Sequence, residues 1–153
     1  MTMDFFQVEL ASSLPLAIPL ERTGEVLSLQ WSELCPIPGI NSAFLGVSNQ
    51  RGRLIWMVDL SALLGITNQK VNLTHQEKSM AIVLLRQDLR IAGVVSRLRG
   101  IINLEQGTLK PHSHPSLQGE VRVKSELIPV LDVDAVFELL QESELLVPPI
   151  ALV

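Results

Sequence analysis

Short runs of β-branched and leucine-rich residues alternate along the chain with glycine, proline, asparagine and aspartate, roughly every dozen residues. Runs of this length between turn-forming residues are typical of short strands, and many in succession favour a barrel or a sandwich. The clearest predicted strands are Leu14 to Leu20, Val26 to Leu29, Ala43 to Val47, Arg53 to Val58, Met80 to Leu85, Ile91 to Leu98, Gly119 to Val123 and Glu126 to Leu131. We therefore predict an all-β fold with few, short helices.

The most polar stretch runs from Thr67 to Ser79, near the middle of the chain. A polar stretch between apolar runs is typical of a linker. We therefore expect a single domain over residues 1–153 with two approximate halves, 1–78 and 79–153.

The two halves resemble each other. The run from Leu54 to Leu64 parallels the run from Leu127 to Phe137 at a constant offset, and the same offset pairs Gly46 with Gly119. A duplicated small β module explains this pattern, and a chance likeness between two apolar strands is the alternative.

Each copy is predicted to end as a strand that runs into a short helix. Asp59 or Ser61 in the first copy, and Asp132 or Asp134 in the second, can accept hydrogen bonds from the free amides at the helix start. Gly65 ends the first helix, and the second helix is the longer one.

The amino-acid composition limits the classes of function that are open to this chain. The chain has 153 residues, 47% of them apolar, which is enough for one domain with a substantial core. A formal charge of -4 and an aromatic content of 4% oppose nucleic-acid binding. Cys35 is the only cysteine, so no internal disulfide can form. No basic leader and no apolar run of roughly 20 residues is present, so we expect a soluble cytoplasmic protein.

Asp59 and Asp132 are the first candidates for catalysis, because two carboxylates that share one proton can activate water in a hydrolase. Neither is followed by the glycine that places such a carboxylate in a tight turn. Helix capping explains both aspartates more simply, and the hydrolase remains an alternative.

Other candidate chemistry is weaker. His112 and His114, with His75 as a third ligand, would offer imidazoles to a metal, but flanking prolines favour an exposed loop with solvated histidines. Cys35 lacks a supporting histidine or asparagine and is expected to be inert and semi-buried. We therefore expect no catalytic centre, no metal and no cofactor.

A polar segment from Gly46 to Arg53 lies between two apolar strands. Asn49 to Gly52 suits a tight hairpin turn, because Gly52 adopts positive φ without steric cost. This geometry places Arg51 at the tip, where its guanidinium is either solvated or available to a partner's carboxylate or carbonyl groups.

The run from Gly46 to Leu60 resembles the CheW family of chemotaxis adaptors, whose motif reads roughly G-V-x-N-L-R-G-x-h-h-P-h-h-D-L, with h apolar. The resemblance continues through Phe44 and Leu45, Ala62 to Gly65, Met80 to Leu85, and Leu127 to Phe137. It covers nearly the whole chain.

The resemblance implies two intertwined five-stranded, SH3-like barrels with a short C-terminal helix, one barrel in each of the halves 1–78 and 79–153. It implies a non-catalytic adaptor between a CheA-type histidine kinase regulatory domain and the cytoplasmic tip of a methyl-accepting chemoreceptor, recruited to membrane-bound receptor arrays without inserting into the bilayer. The turn arginine supports this coupling in the family. The predicted partner-binding residues are Arg51, Asn49, Gly52, Val47, Leu54, Ile55, Glu25 and Val26.

Some positions depart from the family pattern. Gln50 replaces leucine, and Trp56 replaces proline, so its ring either packs in the core or enlarges a contact surface. Between Ile91 and Ile101 two acidic residues are absent, while Arg97 and Arg99 are added. A partner at this edge should be more acidic. We expect a specialised receptor and kinase pair for pili or phototaxis, as in the PilI-like branch.

Two further expectations concern the surface. The apolar tail from Leu145 to Val153 is expected to pack on its own barrel or, alternatively, to extend a partner's sheet. A small β-barrel nucleic-acid binder is the third functional hypothesis. It requires Arg51, Arg53, Arg97 and Arg99 to form one stripe.

Overall fold

The computed structural model describes residues 2–36, 43–66, 78–105 and 114–141. Within these ranges, three-residue 3-10 turns occur at Ala11–Ser13, Leu20–Arg22 and Trp31–Glu33. The strands are β1 (Thr2–Glu9), β2 (Pro15–Pro19), β3 (Thr23–Gln30), β4 (Leu34–Cys35), β5 (Phe44–Gln50), β6 (Arg53–Asp59), β7 (Lys78–Arg86), β8 (Leu89–Val95), β9 (Arg97–Glu105), β10 (Leu117–Val123) and β11 (Glu126–Leu131). The helices are α1 (Leu60–Leu63) and α2 (Val133–Gln141).

These strands form two sheets. The first sheet has five strands in the order β10-β11-β2-β1-β9, and the second has six in the order β3-β7-β8-β6-β5-β4. Neighbours are antiparallel except for two parallel pairs, β11 with β2 and β6 with β8. The predicted all-β fold of two small barrels with a short C-terminal helix is confirmed, and the two-residue strand β4 is the additional member of the second sheet.

Each sheet takes strands from both halves of the chain. β1 and β2 lie in the first sheet with β9, β10 and β11, whereas β7 and β8 lie in the second sheet with β3 to β6. The order β10-β11-β2-β1-β9 in the first sheet corresponds, strand by strand, to the order β5-β6-β8-β7-β3 in the second sheet. This agrees with the predicted duplication. The halves 1–78 and 79–153 therefore divide the sequence but not the sheets.

In the described part of the chain the apolar core consists of three clusters of buried residues. One is shared by the two sheets, and each sheet has one further cluster of its own among these residues. Val8 and Leu16 of the first sheet pack in a shared cluster with Trp56 and Ile82 of the second sheet and with Phe137 of α2. A second cluster belongs to the second sheet, and a third to the first. Because the shared cluster joins the sheets and α2, we expect them to unfold together.

One predicted strand is two strands in the structure, and the strand β1 was not predicted. The run from Ile91 to Leu98 is the end of β8 and the start of β9, separated at Ser96. β1 was not predicted, because its alternating apolar and polar residues are mixed with an adjacent Phe5 and Phe6. The linker residues 67–77 and the tail from Leu145 to Val153 lie outside the described residues.

Candidate functional site

The turn between β5 and β6 is a two-residue hairpin. Gln50 pairs with Arg53 at its base, and the central residues Arg51 and Gly52 have φ angles of 55° and 82°. Positive φ at both central positions is typical of a type I′ turn, whose twist matches that of the strands. Asn49 Oδ1 accepts a hydrogen bond of 2.8 Å from the amide of Gly52. The predicted hairpin with Arg51 at its tip is confirmed.

Arg51 adopts this left-handed conformation although it carries a side chain. Such a conformation costs about 1–2 kcal/mol in a residue other than glycine. The side chain is exposed and makes no hydrogen bond or ion pair with any residue in the described part of the chain. Among the described residues, no hydrogen bond or ion pair of the guanidinium therefore offsets this cost.

The apolar residues beside the turn differ in exposure. Leu54 is 54% exposed, and Val47 is half-buried against the shared core. Ile55 is only 2% exposed and packs in the core of the second sheet. Ile55 was predicted near the docking face, but the structure places it in the core, because β6 is buried on both faces from Ile55 onward.

Glu25 and Val26 lie on β3, at one end of the second sheet. Glu25 Oε1 accepts a hydrogen bond of 3.3 Å from Arg90, and Val26 is half-buried against the shared core. In the sheet order β7 and β8 stand between β3 and β6. These two residues and the Arg51 hairpin therefore belong to separate parts of the sheet.

Both turns that lead from a strand into a helix are capped by an aspartate. Asp59 Oδ1 accepts hydrogen bonds from the amides of Ser61 and Ala62, at 3.0 and 3.3 Å. Asp132 Oδ1 accepts one from the amide of Ala135, at 3.0 Å. The capping interpretation is confirmed. Each carboxylate is engaged by the helix that follows its own strand, and the strands belong to different sheets, which does not favour a hydrolase.

Ser61 and Asp134, the other candidate caps, interact with other parts of the chain instead of capping α1 and α2. Ser61 Oγ accepts a hydrogen bond of 2.9 Å from the amide of Ala11, which ties the β1–β2 connection to α1. Asp134 is paired with Arg22 at 2.5 Å and lies 3.6 Å from Arg86. The hydrogen bond from Arg22 lowers the pKa of Asp134 below its ordinary value, and the same bond raises the pKa of Arg22.

The positive charges of Arg97 and Arg99 on β9, which the family pattern lacks, are partly neutralised by an acidic residue of the same chain. Arg99 Nε lies 2.5 Å and Arg97 Nη1 4.0 Å from Oε2 of Glu9, whose side chain is nearly buried. Glu9 was not predicted as a partner of these arginines, because β1 is distant in sequence and was not predicted as a strand. Arg97 is still 71% exposed. Arg97 and Arg99 belong to the first sheet, whereas Arg51 and Arg53 belong to the second.

The histidines and Cys35, the remaining candidates, form no metal or catalytic site among the described residues. His75 and His112 lie outside the described residues, and His114 Nδ1 accepts a hydrogen bond of 3.0 Å from the amide of Ser116. Among the described residues no three His, Cys, Asp or Glu side chains are grouped to hold a metal. Cys35 is exposed, not semi-buried as predicted. Within the same ranges no helix is long and apolar enough to cross a membrane.

Trp56 is a core residue. It is 2% exposed, and its ring meets the ring of Phe44 edge to face, with centroids 5.1 Å apart and planes at 84°. Such pairs contribute about 0.5–1.5 kcal/mol beyond the area they bury. Of the two roles considered for Trp56, packing is the one observed.

The fold and the hairpin define a protein built from two small barrels that exchange strands. A family model described as CheW-like domain matches residues 4–141. The chain is 27% identical over 115 residues to Chemotaxis protein CheW of Thermotoga maritima, covering 72% of this chain and 73% of that protein. It also matches the crystal structure of scaffolding protein TtCheW from Thermoanaerobacter tengcongensis, with a TM-score of 0.73, 17% identity and coverage of 86% and 90%.

This chain therefore belongs to the CheW-like domain family. Its architecture is the CheW fold of two SH3-like barrels.

Proposed function

We propose that this chain is a non-catalytic adaptor that couples a methyl-accepting chemoreceptor to a CheA-type histidine kinase in the bacterial cytoplasm. The names of the matched proteins, a chemotaxis protein and a scaffolding protein, support this proposal. In this role the receptor recruits the adaptor to membrane-bound arrays, and the adaptor itself makes or breaks no covalent bond.

The observation that carries the proposal is the exposed Arg51 at the tip of the β5–β6 hairpin, whose guanidinium makes no hydrogen bond or ion pair with any described residue. An exposed guanidinium that the fold leaves unpaired is available to the carboxylates or carbonyl groups of a partner. Arg53 and the 54% exposed Leu54 lie beside it. A cationic tip next to an exposed leucine suits a partner surface with carboxylates or carbonyls around an apolar patch.

The kinase regulatory domain is assigned to this hairpin, with Arg51 and Leu54 as contacts and Asn49 and Gly52 as the residues that hold the turn. Val47 contributes from β5 with its half-exposed side chain. Glu25 and Val26 are assigned to the receptor, on the separate edge strand β3. Since Glu25 is paired with Arg90, receptor binding there has to compete with this ion pair or include it.

The test is titration calorimetry of the purified chain against the regulatory domain of the kinase from the same organism. Arg51→Ala should weaken binding by about tenfold or more, as the loss of an anchoring arginine does. Lys124→Ala is the matched control, because Lys124 occupies the equivalent left-handed position of the β10–β11 turn, with φ 57°. If Arg51→Ala leaves kinase binding, receptor binding and kinase control in cells unchanged, the role assigned to the turn is wrong.

We further infer that the chain serves a specialised receptor and kinase pair that controls pili or phototaxis. Support comes from the exposed Arg97, which gives β9 a positive charge where the family pattern is acidic. A deletion strain should lose twitching or directed movement in light and keep ordinary swimming chemotaxis. Loss of swimming chemotaxis alone contradicts this assignment.

A further inference from the structure

An apolar groove lies beside the connection between β1 and β2. It has a volume of about 290 Å³, and its walls include Leu10 and Leu14 from that connection, Leu16 from β2, Ile66 after α1, and Leu117 and Leu127 from β10 and β11. Leu14 and Leu127 are 44% and 41% exposed, although large apolar side chains are otherwise mostly buried in the described part of the chain. A groove of this kind favours an apolar occupant.

We propose that the groove binds the C-terminal segment of this same chain, Leu145 to Val153. The segment reads Leu-Leu-Val-Pro-Pro-Ile-Ala-Leu-Val and contains no polar side chain. In water its apolar side chains would be exposed, and burying them against the apolar groove is favourable. The two prolines suit an extended segment that lies in a groove, because they prevent a helix.

Other segments of the chain are poorer occupants. Residues 67–77 follow Ile66 and residues 106–113 precede His114, and Ile66 and His114 both line the groove, so these two segments are the alternative occupants. Each carries a lysine, a histidine and several amide or hydroxyl side chains, which would lose their hydration in an apolar groove. The C-terminal segment has no such cost.

The segment is also long enough. The rest of β11 after Leu127, followed by α2, spans at most about 30 Å, at roughly 3.3 Å per strand residue and 1.5 Å per helix residue. Residues 142–153 span about 40 Å when extended. Leu140, in the last turn of α2, packs in the same shared cluster as Leu10 and Leu16. Even at the longest separation the last residues of the segment therefore reach the groove from the end of α2, and a shorter separation allows more of the segment to lie in it.

The first experiment compares the full chain with a variant that stops after Glu144, by thermal unfolding and by amide chemical shifts. The truncated chain should have a Tm lower by about 5 °C or more, the size of shift that loss of a few buried apolar side chains produces. The largest shift changes should fall on residues 10–16, 64–66, 117 and 127–129. Unchanged shifts at these positions overturn the proposal, whatever the stability.

A second comparison uses a matched pair of leucines. Leu127→Asp alters the groove, whereas Leu54→Asp alters the equivalent position of the other repeat, which is exposed but outside the groove. Leu127→Asp should lower the Tm of the full chain more than that of the truncated chain, because it displaces the segment only when the segment is present. Leu54→Asp should have the same effect on both. Equal effects of Leu127→Asp on both chains overturn the proposal.

The same spectra separate binding within one chain from binding between copies. If the segment binds its own groove, the shifts of the full chain stay constant on dilution, and its mass in solution is that of a monomer. Groove shifts that disappear on dilution together with a dimer mean that the occupant is the segment of a second copy, and this overturns the assignment to the same chain.

Discussion

Asp59 and Asp132 hold equivalent positions in the two repeats, and each accepts a hydrogen bond from the amide three residues further on. The equivalence extends to the turns before them, where Arg51 and Lys124 have φ angles of 55° and 57°. Asp59 is buried, while Asp132 is half-buried. The same capping hydrogen bond therefore forms in both repeats, at a buried position in one and at a half-buried position in the other.

Removing the cap at Asp59 should destabilise the fold. Asp59→Ala leaves the amides of Ser61 and Ala62 without their acceptor and should lower the free energy of unfolding by about 1–2 kcal/mol. Asp59→Asn keeps a side-chain oxygen at the same place and should cost less. Urea unfolding measures both. Equal losses for the two variants would mean that the charge of Asp59, not its role as an acceptor, stabilises the helix start.

Gly46 should not tolerate a side chain. Its φ is 140°, and a Cβ atom there would overlap the carbonyl oxygen of Cys35 on β4. Gly46→Ala should therefore lower the free energy of unfolding by roughly 2–4 kcal/mol. Gly52→Ala is the control, because Gly52 also has positive φ but has open space around it, and it should cost only about 1 kcal/mol. Urea unfolding curves that rank the variants in the opposite order would contradict the clash.

Trp56→Ala should be among the most destabilising substitutions in the second sheet. It removes the ring that packs on Phe44 in the shared core and should cost about 3–5 kcal/mol. Leu54→Ala, two residues earlier and 54% exposed, should change stability by less than about 1 kcal/mol. Guanidinium unfolding gives both values. A small loss at Trp56 would mean that this site relaxes around the missing ring.

The ion pair of Asp134 with Arg22 should make a small pH-dependent contribution. The hydrogen bond from Arg22 lowers the pKa of Asp134 in the folded state from the ordinary 3.8. The stabilisation is therefore complete above that ordinary value and disappears as pH falls through the lower folded-state pKa. Because the side chain is 52% exposed, the contribution is at most about 1 kcal/mol.

Asp134→Asn should accordingly be less stable than the natural chain at about pH 7, and the difference should shrink below about pH 4 and in roughly 1 M salt. Urea unfolding at several pH values measures it. A difference that is the same at low and neutral pH would show that Asp134 acts through packing and not through its charge.

Much of the fold was predictable because its signals are local. The Asn49 to Gly52 turn, the aspartate caps and the end of α1 at Gly65 each depend on residues within one turn of one another. The exchange of strands between the halves was not predictable, because it depends on pairing such as Phe5 with Ile102, which no local pattern encodes.

The candidate site was predicted less evenly. Arg51 in the turn and Leu54 near the start of β6 are exposed, as predicted. Ile55 was misassigned because β6 has neighbours on both sides and buries both faces, so alternation does not mark a solvent face. The pairing of Arg99 with Glu9 was missed because it joins residues of different halves.

The exchange of strands has a consequence for how the polypeptide can be divided. A chain cut between Ile66 and Lys78 yields two pieces, and each piece holds only part of either sheet. Neither piece can complete a barrel by itself, so each alone would present open backbone edges and aggregate. If the two pieces are mixed during refolding, they should associate without a covalent link and complete both barrels. Complementation between two fragments is therefore the expected way to recover the fold after such a cut.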